Sequence, residues 1–192
     1  MDTVRAFIAI ELSPAILNAL GDLQDRLKQD VPPKLVRWVR PQGIHLTLKF
    51  LGDVPGAQIA AIAEALQDAC VHHGPFSFSI GGMGCFPNPY RPRVVWVGVD
   101  EPSGALARLQ RDVERAIGPL GFPPDKRRFS PHLTLGRVKG RDRDAVASLG
   151  EYVSRARVRV GEMQAQAVHL MRSELLPGGA VYTELAAAPL SA

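Results

Sequence analysis

The chain has 192 residues, 46% of them hydrophobic, and a formal net charge of +4 from 23 Lys/Arg against 19 Asp/Glu. That length and balance suit one compact domain or two small lobes around a sizeable core, and exclude a disordered or low-complexity polymer. No apolar run approaches the roughly 18–20 residues of a membrane span, the apolar start is interrupted by Glu11 and has no signal-peptide signature, and the two cysteines, Cys70 and Cys85, form neither a disulfide framework nor a paired metal motif, so a cytoplasmic, monomeric protein with free thiols is expected.

In chain order, residues 4–12 read as a strand. Ser13-Pro14 then supplies a helix cap with proline at the first helical position, and Ile16, Leu17, Leu20, Leu23 and Leu27 follow at helical spacing. Residues 35–39 read as a short strand, Pro41-Gln42-Gly43 as a turn and 44–51 as a strand. Residues 56–71 read as a helix with Ile59, Ile62, Ala63 and Leu66 inward. Strands are expected at 76–80 and 94–99 around a Gly/Pro-rich loop. Ser103 is expected to cap a third helix with Leu106, Leu109, Val113 and Ile117 on its apolar face. A strand at 133–138, a helix at 143–152, and strands at 157–160, 167–170 and 181–185 complete the pass. The charge is uneven: residues 1–102 carry 9 Lys/Arg against 10 Asp/Glu, and residues 103–192 carry 14 against 9. An anionic partner such as RNA fits that balance.

One tetrapeptide occurs twice, as His45-Leu46-Thr47-Leu48 and as His132-Leu133-Thr134-Leu135, in a chain with five histidines. In a strand, residues i and i+2 share a face. Each copy therefore offers an imidazole and a hydroxyl on one surface and two leucines to the core. The surrounding elements repeat as well, which predicts a duplicated α+β fold: residues 1–192 as a single domain of two pseudo-symmetric lobes, motif one at 45–48 and motif two at 132–135, antiparallel-type sheets flanking a central cleft and helices outside. Two imidazoles across a cleft suit an in-line displacement, one ring accepting a proton and the other donating one. Thr47 and Thr134 can donate to the non-bridging oxygens of a phosphate. No cofactor is needed. The residues alone do not decide which histidine is acid and which is base.

The chain resembles the 2H phosphoesterase superfamily, and within it the bacterial RNA 2′,3′-cyclic phosphodiesterases, historically called 2′-5′ RNA ligases. The match is carried by the stretch from His45 to Gly52 and by Ser130-Pro131-His132-Leu133-Thr134-Leu135-Gly136-Arg137, with support from residues 5–10 and 170–175. The resemblance implies metal-independent hydrolysis of a terminal 2′,3′-cyclic phosphate to a 2′-phosphate, with His45 as acid and His132 as base. It also implies that Phe50 and Arg137, each five positions after a motif histidine, sandwich the terminal base, a physically sensible use of a phenyl ring and a guanidinium plane. Strict alternation puts both on the face opposite their histidines, and Phe50 in the core. They reach the cleft only if each strand twists, bulges or ends there, which Gly136 eases for Arg137. Ligation of 2′,3′-cyclic and 5′-hydroxyl ends as a secondary activity, a non-RNA cyclic phosphate, and RNA binding without catalysis are the alternatives.

Other features carry less. His72-His73 beside Cys70 is expected as a helix C-cap region rather than a metal site. His169 is expected to be structural, and no carboxylate cluster suggests a metal. Lys126-Arg127-Arg128 is either a solvated run or a guide for the RNA backbone. Gly81-Gly82-Met83-Gly84 lacks the Gly-Lys-Ser/Thr of a phosphate loop. Tyr90 and Arg91 fit either the cleft rim or the surface outside it; the sequence does not decide.

Overall fold

The computed structural model describes residues 3–140, 142–177 and 179–192. Nine strands and four helices are defined within these: β1 Thr3–Ile10, α1 Pro14–Asp30, β2 Val36–Trp38, β3 Leu46–Pro55, α2 Ile59–Cys70, β4 Phe76–Phe86, β5 Val94–Asp100, α3 Ala105–Ile117, β6 His132–Val138, α4 Arg143–Arg155, β7 Arg159–Ala165, β8 Ala167–Leu176 and β9 Gly179–Pro189. They build two antiparallel sheets, one ordered β3-β1-β8-β9 and the other β2-β6-β5-β4-β7. Each sheet carries one His-x-Thr segment, as the duplicated α+β reading requires. Among the described residues no helix is long and apolar enough to cross a membrane.

The sheets are not consecutive halves of the chain. From its motif strand, each sheet runs to the strand that precedes the motif across a helix: β1 before β3, β5 before β6. Beyond that pair the membership is exchanged. β2 and β4, from the first half, join the second-motif sheet, while β8 and β9 return to the first. The helices cross too: α1 packs on β7 of the second-motif sheet and α3 on β3 of the first.

Local chemistry explains the elements. Ser13 accepts from the Ile16 N–H at 3.4 Å and Pro14 opens α1, whose apolar stripe buries Ile16, Leu20, Leu23 and Leu27. Fully burying each such side chain stabilises by about 1.5–3 kcal/mol. Ser103 shares the capping of α3: Gly104 occupies the cap position at φ 78°, and the Glu101 carboxylate accepts from the N–H groups of Ser103 and Leu106 at 3.0 Å. The Gly-rich stretch expected as loop lies within β4, which runs to Phe86. Glycine is needed at Gly84, where a Cβ would stand 2.2 Å from the Trp96 ring on the neighbouring strand.

The main core includes Leu46, Leu48, Leu133 and Leu135, the core-facing motif leucines, with Ile8, Ile10, Val97 and the apolar faces of α1, α2 and α3. A second cluster under α4 joins Val95, Leu149 and Val153. A third, of Phe7, Ala9 and Met171 against Tyr182, lies on the opposite face of the first-motif sheet.

Candidate active site

His45 immediately precedes β3, after a turn of 3₁₀ helix at Pro41–Gly43, and His132 is the first residue of β6. From each histidine the exposure repeats position by position. His45, Leu46, Thr47, Leu48, Lys49 and Phe50 run half-buried, buried, half-buried, buried, buried, exposed; the six residues from His132 to Arg137 run the same way. The paired buried positions mark where alternation breaks.

Strand register gives the cause. Across β1 and β3, Ala9 faces Thr47, Ile8 faces Lys49 and Phe7 faces Phe50, so Leu48 is an extra residue. Across β5 and β6, Trp96 faces Thr134, Val95 faces Gly136 and Val94 faces Arg137, so Leu135 is extra. Each motif thus ends in a β-bulge at its fourth residue, and a bulge re-aims the side chains that follow it. Phe7 and Ala9 share a face, as do Val94 and Trp96, and so Phe50 joins Thr47 and Arg137 joins Thr134. Phe50 is 72% exposed. The alternative of Phe50 as core packing, which strict alternation suggested, does not hold, because alternation does not survive the bulge.

The two imidazoles are held alike. The His132 Nδ1 lies 2.7 Å from the Ser130 carbonyl, and the backbone of Gly43 acts on the His45 ring in favour of its charged form. Each partner is two residues upstream. At His132 a ring N–H donated to the Ser130 carbonyl leaves the other nitrogen to accept a proton. Aromatic edges fix the ring planes: Tyr182 meets His45 at 5.0 Å and 86°, and Phe86 meets His132 at 4.8 Å and 85°. Phe7 also stacks on His45 at 4.4 Å. Gly43 admits the Tyr182 ring, which would lie 3.2 Å from a Cβ there. These walls desolvate the rings. Burial lowers His45 to about 4, against the opposing bond to Gly43. It also lowers His132, against the Ser130 bond and with help from the Arg137 charge.

Arg137 links the motifs. Its charge acts on His132 and also on Tyr182, the ring against His45, where Arg5 acts as well. Burial still leaves the Tyr182 phenol above its usual range. The backbone makes the same connection: β2 pairs with β6 at Arg37 opposite Arg137, the Val39 N–H donates to the Leu135 carbonyl at 2.8 Å, and the chain then turns through Pro41–Gly43 into His45.

Tyr90 is 89% exposed in the loop after Phe86, with Arg91 beside it, both turned about Asn88. Arg127 folds back onto Asp125 at 2.8 Å, and all three cations of that run are exposed. His73 reaches Asp112 at 2.9 Å, and Cys70 is buried with its thiol pushed up to about 12, which does not suit a metal. The expectation of no carboxylate cluster needs correction. Glu11, His169 and Glu184 gather their ligand atoms within 4.8 Å, with His169 Nδ1 at 2.7 Å from Glu184. Distant in sequence, they meet only through the β1–β8–β9 pairing. A hollow of about 760 Å³ lies elsewhere, between α1, α4 and β7. It holds no motif residue, and Arg155 and Arg159 there are paired with Glu151 and Glu162.

Sequence reading missed Phe7, Phe86, Trp96 and Tyr182 as walls of the site. Phe7, Trp96 and Tyr182 left the same signal, an aromatic on an expected strand.

A model of the 2′-5′ RNA ligase superfamily matches residues 13–175. An RNA 2′,3′-cyclic phosphodiesterase of Methanothermobacter thermautotrophicus is 42% identical over 184 residues, covering 95% of this chain and 96% of that protein. One of Aquifex aeolicus is 36% identical, covering 95% of each. Among solved structures, a Thermus thermophilus protein superposes with a TM-score of 0.80 at 28% identity over 97% of each chain. Escherichia coli LigT complexed with 3′-AMP superposes with a TM-score of 0.80 at 25% identity over 100% of each.

Proposed function

The chain belongs to the 2′-5′ RNA ligase superfamily, and from that premise we propose that it hydrolyses RNA 2′,3′-cyclic phosphate ends to 2′-phosphate ends, with His132 as base, His45 as acid and no metal. The observation that carries this reading is the matched pair of half-sites. Each has an imidazole and a threonine in the same half-buried setting, followed by a β-bulge at the fourth motif residue.

Neutral His132 takes a proton from water at its free nitrogen. The water oxygen bonds to phosphorus, the bond from phosphorus to the 3′-oxygen breaks, and His45 protonates that oxygen. The products are a 2′-phosphate and a 3′-hydroxyl. Thr47 and Thr134 donate to the non-bridging oxygens, where charge builds in the transition state. Phe50 and Arg137 hold the terminal base between them. An acid must carry a proton, and burial works against that at His45. A bound phosphate anion supplies the opposite charge that favours imidazolium, so the proton arrives with the substrate.

Ligation is the same displacement with a 5′-hydroxyl in place of water, the 3′-oxygen again leaving and a 2′-5′ linkage forming. Water outnumbers that hydroxyl, so hydrolysis dominates. The exposed Phe50 favours a base-bearing substrate over a cyclic phosphate without a base. The test is to incubate the protein with an oligonucleotide ending in a 2′,3′-cyclic phosphate, in EDTA, and identify the product end. A 2′-phosphate is expected. A 3′-phosphate, or turnover only after a divalent ion is restored, overturns the mechanism. In the latter case the Glu11, His169 and Glu184 group is the place to look.

A further inference from the structure

We propose that Gln24 and Gln110 are positioning residues that hold the two motif bulges and thereby set where Arg137 and Phe50 stand for the terminal base; this rests on the function proposed above. Among the described residues, four polar or charged side chains are buried: Gln24 at 1% exposure, Lys49 at 5%, Gln110 at 8% and Glu114 at 9%. All four converge on the bulges. Gln24 Nε2 donates to the Leu135 carbonyl at 2.9 Å and to the Val39 carbonyl at 2.7 Å. Gln110 Nε2 donates to the Leu48 carbonyl at 3.4 Å and to Glu114 Oε1 at 3.1 Å, and Glu114 is paired with Lys49.

Leu48 and Leu135 are the extra residues of the two bulges. A bulge leaves its extra residue outside the regular two-strand ladder, and its buried carbonyl takes donors from beyond that pair of strands. Each glutamine is a side-chain donor to that carbonyl from a helix of the opposite half: Gln24 on α1 serves the second motif, beside the Val39 N–H, and Gln110 on α3 serves the first. The two are counterparts under the same exchange that relates the sheets. A glutamine within an apolar helix stripe, where leucine would pack, is otherwise unexplained. Without the donor, the bulge is free to return to alternation, which turns Phe50 or Arg137 away from the motif face.

The test uses Gln110→Met and Gln24→Met, which keep the volume and remove the donor. Kinetics are measured on a nucleoside 2′,3′-cyclic phosphate and on a base-free ribose cyclic phosphate. KM for the nucleoside should rise about 2- to 10-fold, the equivalent of one neutral hydrogen bond, with a smaller change for the base-free compound. In double-mutant cycles, Gln110→Met should be non-additive with Phe50→Ala and additive with Arg137→Ala; Gln24→Met should show the mirror pattern. If the methionine variants do not fold, Gln24→Asn and Gln110→Asn, which withdraw the amide by one methylene, read the same difference. Equal losses on both substrates with additive cycles throughout, or unchanged KM in folded variants, overturn the positioning role alone. A wild-type protein inactive on both substrates overturns the proposed function and the base-recognition role with it.

Discussion

Lys49→Met should destabilise the protein by roughly 3–5 kcal/mol, the cost of breaking a buried ion pair by removing one partner. Lys49 follows a motif leucine, and sequence alone gives it no special place. In the structure it is 5% exposed, its ammonium pairs with the 9%-exposed Glu114, and it donates to the Pro123 carbonyl at 2.9 Å. Methionine fills the volume but leaves the Glu114 carboxylate buried, with Gln110 as its remaining side-chain donor. For a chain of this size each kcal/mol moves Tm by about 2–4 °C, so a fall of roughly 6–20 °C is expected. Lys49→Met combined with Glu114→Leu removes both charges, and apolar replacement of a buried pair is often neutral or stabilising. The double variant should therefore recover most of the loss. Urea denaturation of wild type, both single variants and the double variant completes the cycle. A cost under about 1 kcal/mol for Lys49→Met means that water reaches the pair; a double variant as poor as the sum of the singles means that the two groups are not coupled. Either result refutes the reasoning.

Four further outcomes follow from the site. His45→Ala and His132→Ala should each lower kcat by roughly 10²–10⁴-fold, with the double variant far less than multiplicatively worse, measured by single-turnover hydrolysis. His45 is folded with a value near 4 and unfolds to the ordinary 6.5; between those values the unfolded chain binds the proton and the native one does not. Stability from this residue is therefore full above pH 6.5 and declines as pH falls toward 4, by up to about 3 kcal/mol, and His45→Gln should flatten that part of a urea-midpoint profile. Phe50→Ala should leave stability within about 0.5 kcal/mol, as for an exposed side chain, yet raise KM for a nucleoside cyclic phosphate more than for a base-free one. Thr47→Val and Thr134→Val should harm both substrates alike, and equal harm from Phe50→Ala would remove it as a base platform.

The repeated His-Leu-Thr-Leu made the two motif strands legible, because faces two residues apart follow from pleating alone. The bulges at Leu48 and Leu135 were not legible, since what stabilises them lies far off in sequence. Gln24 is 111 positions from Leu135, and Glu114 is 65 from Lys49. Helix periodicity located α1 and α3 but could not say which sheet each covers, because an apolar stripe fits any apolar face. The strand content of Gly81–Gly84 was hidden for a similar reason: glycine reads locally as loop, and its use here is to admit Trp96 from the next strand. The grouping of Glu11, His169 and Glu184 likewise exists only after β8 and β9 have been placed beside β1.

The crossing of α1 and α3 has a consequence for how the protein could be divided. Cut the chain before α3, and the first fragment keeps His45 and Thr47 but loses Gln110 and Glu114, stranding the Leu48 carbonyl and the Lys49 ammonium. The second fragment keeps His132 and Thr134 but loses Gln24 and the β2 edge. A half-length chain could restore both sets of partners only by exchanging its helix with another copy, as subunits do in a domain-swapped dimer. The single chain is in effect such a dimer joined end to end, each half-site leaning on a helix of the other half.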